Sequence, residues 1–369
     1  MMIDSFYFSF LYKLAYAFTA VIVVFSSISI ETKKDYFFQK KLGNFLILFP
    51  IIILIPLIGL RNFDVGTDTH NYYEILWLTD SEIKFDGEFL FFLIAEILKY
   101  FNLSYGYFLF LIASLFIFLM YSFVRKVSNS YHSNAFFIFF AYMSMFFFLS
   151  LGINVIRQGI ALACLLVAYS YFINKESKLK LMLLILSSLA FHSSSLVPLL
   201  MFAVIVISKK ITVFKDKQYY IIFFLFAVVS YLNFGLLDVA PTLIDFLGSD
   251  NRRVGYLSGD DLDYSTGFRL DFIIFNTVFL FISIYAKSLI MDIDLKDIYS
   301  TIVRYYIAAS CLFFMAFQLP FSDRWGLFSW IVIPLIMSPL LYSTSVKNGV
   351  RIHWVAFLIL IFIGFNVYG

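Results

Sequence analysis

The residues with the most chemical potential in this chain are arginines. Arg61, Arg157, Arg252, Arg253, Arg269 and Arg324 sit at the ends of apolar runs or in the segments between them. A guanidinium keeps its charge at any physiological pH and offers a planar fork of donors that matches a phosphate or carboxylate. Near them in the sequence are groups able to hold or move a proton. Arg61 leads Asn62-Phe63-Asp64-Val65-Gly66-Thr67-Asp68-Thr69-His70-Asn71-Tyr72, and Arg157 stands in Asn154-Val155-Ile156-Arg157-Gln158. Further on come His192-Ser193-Ser194-Ser195, Asn251-Arg252-Arg253-Val254-Gly255-Tyr256 and Ser322-Asp323-Arg324-Trp325. Fixed cations beside carboxylates and a histidine suit a reaction in which an anionic group departs and a hydroxyl loses its proton.

Each of these residues also has a plainer reading. The arginines have candidate ion-pair partners in Asp64, Asp250, Asp260, Asp261 and Asp263. Arg61 follows the apolar run Ile51–Leu60 and marks a membrane exit. Gly66 permits a tight turn, and Thr67 or Asp68 caps a helix that places Asp68 and Tyr72 on one face. Arg157 and Gln158 open an apolar helix, where the arginine either snorkels to lipid headgroups or joins the free N–H groups of the helix start in holding a pyrophosphate. His192 interrupts a 30-residue apolar run, 179–208. It is either a satisfied core histidine or an ionisable group on irregular backbone at membrane depth, which is tolerated only in a protein interior or a watery cavity. Asp323 either pairs with neighbours of Arg324 or faces a ligand. His70, His132 and His353 show no metal-ligand spacing, and Cys164 and Cys311 lie in apolar runs as inert thiols, so no metal and no disulfide are expected. Phosphate-loop, nucleophile-elbow and dinucleotide motifs are missing from the sequence.

The elements that must position these groups are membrane helices. Of the 369 residues 62% are hydrophobic and 14% charged, with a mean hydropathy of +0.90. A soluble domain is about 45–50% apolar and about 25% charged, so a soluble enzyme, a disordered chain and a nucleic-acid binder are excluded. Candidate spans are 6–30, 45–60, 104–124, 134–151, 157–174, 219–236, 269–290, 300–319, 325–343 and 351–368. Residues 88–101 are too short to cross and read as an interfacial helix. Fifteen of the eighteen lysines fall in 31–44, 125–133, 174–180, 209–218, 287–299 and 344–351, which the positive-inside rule makes cytoplasmic. Both ends of 179–208 then lie inside, so that run becomes a hairpin of two short helices with His192 near its tip. The expected architecture is an all-α polytopic membrane protein, a single membrane-embedded domain over 1–369. It has about 12 transmembrane helices (11–13), both termini outside, and outer loops at about 61–87 and 237–268. The first residues lack the features of a removable signal peptide.

Three motifs together, Arg61…Val65-Gly66-Thr67-Asp68…Tyr72, Asn154-Val155-Ile156-Arg157-Gln158-Gly159-Ile160-Ala161 and Ala190-Phe191-His192-Ser193-Ser194, resemble the EpsG-like branch of Wzy-type polysaccharide polymerases. The resemblance runs from about residue 45 to 210, with Arg252-Arg253 and Ser322-Asp323-Arg324 fitting more loosely. It implies a glycosyltransferase of the GT-C type that joins undecaprenyl-pyrophosphate-linked oligosaccharide repeat units of O-antigen or capsule. Such enzymes work at the outer face of the bacterial cytoplasmic (inner) membrane without metal or other cofactor. It also implies a co-polymerase partner that regulates chain length, and no nucleic acid. In that frame Arg157, with Gln158 and Arg252 or Arg253, holds the pyrophosphate. Asp68 or His192 activates the acceptor hydroxyl, Arg61, Asp323 and Arg324 shape the cavity, and Tyr72 and Tyr256 stack on sugar rings. A lipid-linked-oligosaccharide flippase or transporter and an O-antigen ligase are the competing functions.

Overall fold

A backbone crossing lipid must satisfy its own N–H and C=O groups, and helices do so within one segment. The computed structural model, which describes residues 2–32, 36–78, 88–210, 215–239, 266–341 and 354–368, is accordingly helical, with one isolated β-bridge among the described residues. In chain order the helices are α1 (Ser5–Thr32), α2 (Tyr36–Leu46), α3 (Leu48–Gly59), α4 (Thr69–Tyr73), α5 (Phe89–Tyr100) and α6 (Tyr105–Ser130). There follow α7 (Ala135–Met143), α8 (Phe146–Ile153), α9 (Ile156–Ile173), α10 (Lys178–Phe191), α11 (Leu196–Lys210) and α12 (Asp216–Tyr231). The last are α13 (Leu236–Val239), α14 (Leu270–Leu289), α15 (Ile293–Met315), α16 (Asp323–Trp330), α17 (Ile333–Leu341) and α18 (Trp354–Tyr368). Seven helices among the described residues are long and apolar enough to cross a membrane, or eight if the bent pair α7–α8 is one span. The chain is therefore a multi-pass membrane protein.

Surface pattern agrees with lipid as the solvent. Along α1, Phe8, Tyr12, Ala15, Thr19 and Val23 are buried at helical spacing, whereas Phe6, Phe10, Phe18, Val21 and Phe25 on the other faces are exposed. Apolar side chains on both faces of a helix mark a membrane span rather than a soluble amphipathic helix.

The described helices divide into two compact units. The first comprises Met1–Val197, Ile290–Leu295 and Met337–Gly369. Its centre is α9, which packs against α6 and α10 and is tied to α10 where the Ser188 hydroxyl donates to the Ala161 carbonyl (2.8 Å). The N-terminus is stitched to the end of α3: Ile3 N–H donates to the Leu60 carbonyl and Asn62 N–H to that of Ile3, both at 2.8 Å. The Tyr16 hydroxyl on α1 donates to the Leu360 carbonyl of α18 (3.1 Å).

The second unit, Pro198–Leu289 and Lys296–Ile336, is organised around a buried amide. Asn276 accepts from Trp330 Nε1 (2.9 Å), donates to the Ser310 hydroxyl (3.2 Å), and its carbonyl accepts from the Tyr306 hydroxyl (2.7 Å). At another place in this unit Asp216 bridges Lys287 and Arg304, the latter at 2.9 Å, so Arg304 serves the fold.

The segment expected as one span at 134–151 is instead two helices bent by 80°. Met145 adopts an extended backbone (φ −86°, ψ 134°), which ends the ladder between Met143 and Phe146. The Phe140 carbonyl accepts from both the N–H and the hydroxyl of Ser144, each at 2.9 Å. With no Pro or Gly at the break, the apolar pattern reads straight through it. The apolar run 179–208 is broken as expected: α10 ends at Phe191, His192 is extended, and a short 3₁₀ turn, Ser193–Ser195, leads into α11.

Gly159 shows how tightly α8 and α9 approach. A Cβ at this position would lie 2.2 Å from the Leu151 carbonyl oxygen. Gly159→Ala is expected to destabilise the protein by about 1–3 kcal/mol, because the obstruction is backbone and the helices must separate. A thermal unfolding curve in detergent checks it, and an unchanged midpoint would contradict the close packing.

Candidate functional site

The site is assembled in the first unit from the segment after α3, the start of α5, the start of α9 and the end of α10. The turn after α3 depends on Gly66, whose φ of +82° is a left-handed conformation that L side chains rarely adopt. A Cβ there would also stand 2.6 Å from Asn154 Oδ1. That amide oxygen accepts from Thr67 N–H (2.9 Å), so Asn154, in the break between α8 and α9, fixes the turn that delivers Asp68 and Tyr72. Asp68 precedes α4, and its backbone carbonyl accepts from Tyr72 N–H (3.0 Å). Its side chain makes no capping bond, contrary to the expected cap.

Arg61 lies beneath this turn, fully buried at 0% exposure. Its Nη1 donates to the Ile58 carbonyl (2.7 Å) and its Nε to the Thr69 hydroxyl (3.1 Å), with Nη2 3.5 Å from the Ile153 carbonyl. The Thr69 hydroxyl in turn donates to the Val65 carbonyl (2.7 Å). Burial pushes the Arg61 pKa down to about 10, with Tyr105 and Tyr72 opposing. The expectation that Arg61 shapes a ligand cavity thus becomes a statement about the fold: its fork is spent on the turn. Nearby, Asp64 accepts from Ser5 N–H (3.0 Å), and that bond holds its carboxyl below the ordinary range.

Glu88 is the focus of the charged cluster. It sits in the turn before α5, and its side chain is 16% exposed. Oε2 pairs with Arg157 Nη1, and Oε1 lies 2.6 Å from His192 Nδ1. These partners are 69 and 104 residues away in sequence. An ionised carboxylate only accepts, so with Glu88 ionised Nδ1 carries a proton, and in the neutral ring Nε2 is then the acceptor. Arg157, the second residue of α9, lies 5.5 Å from the Tyr72 ring and 5.9 Å from that of Phe91, and Asp68 also acts on its charge. Tyr72 meets Phe91 edge-on at 5.5 Å. The Ser195 hydroxyl donates to the His192 carbonyl (2.8 Å), and the Ser194 hydroxyl oxygen is buried with no hydrogen-bond partner among the described residues.

The structure therefore brings Arg157, His192, Tyr72 and Asp68 together around a residue that the sequence reading passed over. Glu88 had no local signature: it reads as the polar start of a short apolar helix, and its meaning comes only from distant partners. Gln158 is buried on α9 at 4% exposure. Asp323 and Arg324 open α16 in the second unit, where the guanidinium lies 4.8 Å from the Phe321 ring. Arg269 in that unit makes a two-point pair with Asp271 (2.8 and 3.1 Å) over the Phe272 ring. Arg252, Arg253 and Tyr256, with most of the second expected outer loop, lie outside the described residues. Among the described residues, no three His, Cys, Asp or Glu side chains gather closely enough to hold a metal ion.

A partly buried cation and a carboxylate-bound imidazole side by side offer anion stabilisation and proton acceptance within one cluster. In comparison with known proteins, a sequence model of the EpsG family matches residues 44–368. No curated protein and no solved structure matches the chain.

Proposed function

Because this chain belongs to the EpsG family, we propose that it is a polysaccharide polymerase of the membrane-embedded GT-C type. It elongates O-antigen, capsule or a related polymer from undecaprenyl-pyrophosphate-linked repeat units. The single observation that carries this reading is the cluster of Arg157, Glu88 and His192, with Asp68 and Tyr72 beside it, in a chain built of membrane helices. The lysine distribution supports the reading that the cluster faces outward from the bacterial cytoplasmic membrane, in an arrangement of about twelve crossings. A chain-length-regulating co-polymerase is the partner such a reaction calls for.

In the proposed reaction an acceptor hydroxyl at the non-reducing end of a fresh repeat unit attacks the anomeric carbon of the growing chain. A new C–O bond forms, the bond from that carbon to the pyrophosphate breaks, and its electron pair leaves with undecaprenyl pyrophosphate. Arg157 stabilises the developing charge, joined by Arg252 or Arg253 and assisted by Gln158. The hydroxyl proton passes to His192 Nε2 or to Asp68. Tyr72 and Tyr256 offer faces for sugar rings. Asp323 and Arg324 shape the cavity, and Arg61 acts through the turn it holds.

The base is tested in cells that lack the protein and are complemented with Asp68→Asn or His192→Gln. At least one variant is expected to shorten the polymer and lower its yield, while single repeat units still reach their final acceptor. If both leave length and yield unchanged, neither residue is the base. The interruption of the run at His192 favours a second reading, a flippase, since broken helices are common in transporters. A defect of that kind would leave no repeat units outside, whereas an O-antigen ligase defect would leave finished polymer unattached.

A further inference from the structure

Glu88 does two things at once. One carboxylate oxygen takes a donor of the Arg157 fork, and the other takes the Nδ1 proton of His192. The three side chains are only 25%, 16% and 19% exposed, in the order Arg157, Glu88, His192, so solvent screens them poorly. A phosphate group approaching Arg157 meets a carboxylate already seated on the fork. It must either displace that carboxylate or share the arginine with it, and two anions a few ångströms apart in a partly desolvated site repel strongly.

Resting on the reading of Arg157 as the pyrophosphate site and of His192, rather than Asp68, as the base, we propose that Glu88 is a positioning residue that couples the two halves of the reaction: it holds the anion seat of Arg157 until a pyrophosphate displaces it, and then concentrates its charge on His192. A carboxylate released from the arginine still holds His192 Nδ1 through Oε1. The Nδ1–H···Oε1 bond then strengthens, and the ring stays in the tautomer whose Nε2 accepts a proton. Base activation thus follows occupation of the donor's anion site. A hydroxyl arriving before the donor meets a histidine whose carboxylate is shared with the arginine. No covalent step is involved, and the charge that the pyrophosphate brings replaces on Arg157 the charge that Glu88 withdraws.

If Glu88 holds the seat, neutralising it frees a donor of the Arg157 fork and removes a repelling charge, so anion binding improves. The probe is inorganic pyrophosphate, titrated calorimetrically against the full-length protein in lipid nanodiscs at fixed ionic strength. Glu88→Gln is expected to bind it about tenfold more tightly than the wild type, the worth of one charge-assisted hydrogen bond. Unchanged or weaker binding would overturn the proposal, because a carboxylate seated on the fork must compete with the anion that displaces it. Arg157→Gln separates the two levels of the argument. If it abolishes binding while Glu88→Gln gives no gain, the arginine site stands and the coupling fails. If it leaves binding unchanged, the assignment of Arg157 itself fails, and the coupling with it. Should Glu88→Gln fold poorly, the wild-type protein labelled with 15N-histidine decides the question. Saturating pyrophosphate is expected to move the Nδ1 resonance of His192, identified by its loss in His192→Asn, and a resonance that stays in place overturns the proposal.

Discussion

Replacing Arg157 with lysine is expected to lower polymer formation by about a hundredfold or more, the cost of losing one preorganised donor to a developing anion. The argument turns on geometry rather than charge, because lysine keeps the cation. The guanidinium is held by several neighbours at once: Glu88 on Nη1, the faces of Tyr72 and Phe91, and the field of Asp68. Those contacts, with a side-chain hydrogen bond to Tyr72, aim the fork. An ammonium has three donors and no plane, so it can satisfy Glu88 or a phosphate but cannot present a two-point seat while packed against the ring of Tyr72. The protein itself is expected to reach the membrane in normal amounts, since lysine still neutralises Glu88. The measurement is transfer rate with a lipid-pyrophosphate donor, alongside the amount of folded protein. Activity within a few-fold of wild type would make Arg157 an ion-pair partner or headgroup anchor, and the pyrophosphate assignment would be lost.

What the sequence made legible follows the range over which each signal acts. Gly66 and the turn it permits, Arg157 at the opening of a helix, and the break at His192 are all local features, readable from a few neighbours. Membrane helices were equally plain, because lipid imposes its demand on every residue of a span. The 80° bend at Met145 left no trace, since it lies in one extended residue with no Pro or Gly to mark it. Glu88 was hidden for a different reason. Nothing near it in the chain distinguishes it from Glu96, which pairs with Lys99 one turn along its own helix. Only folding carries Glu88 to Arg157 and His192. Arg61 was visible but not its partners: an arginine at the end of a span looks the same in sequence whether it meets solvent, a ligand or the carbonyls of its own fold.

That last distinction gives the second large effect. Arg61→Ala is expected to destabilise the protein by about 3 kcal/mol or more, with activity falling only as the folded fraction falls. Two terms oppose each other. Burial works against the guanidinium, as the lowering of its pKa to about 10 records, so deleting the charge relieves a desolvation cost. Against this, alanine leaves the Ile58 and Ile153 carbonyls and the Thr69 hydroxyl without their donor, and opens a cavity where one of the largest fully buried side chains had been. Unsatisfied buried acceptors cost about 1–3 kcal/mol each, and the cavity adds to that, so the loss outweighs the relief. The damage also reaches the site by a defined route. Thr69, released from Arg61, anchors Val65 and accepts at its carbonyl from the Tyr105 hydroxyl, and the same short segment carries Asp68 and Tyr72. Thermal unfolding in detergent, read together with pyrophosphate affinity on the folded fraction, separates this from the alternative. A residue that touches the ligand would leave the unfolding midpoint where it was and weaken pyrophosphate binding. A residue that holds the turn shifts the midpoint and leaves the affinity of each folded molecule close to that of wild type.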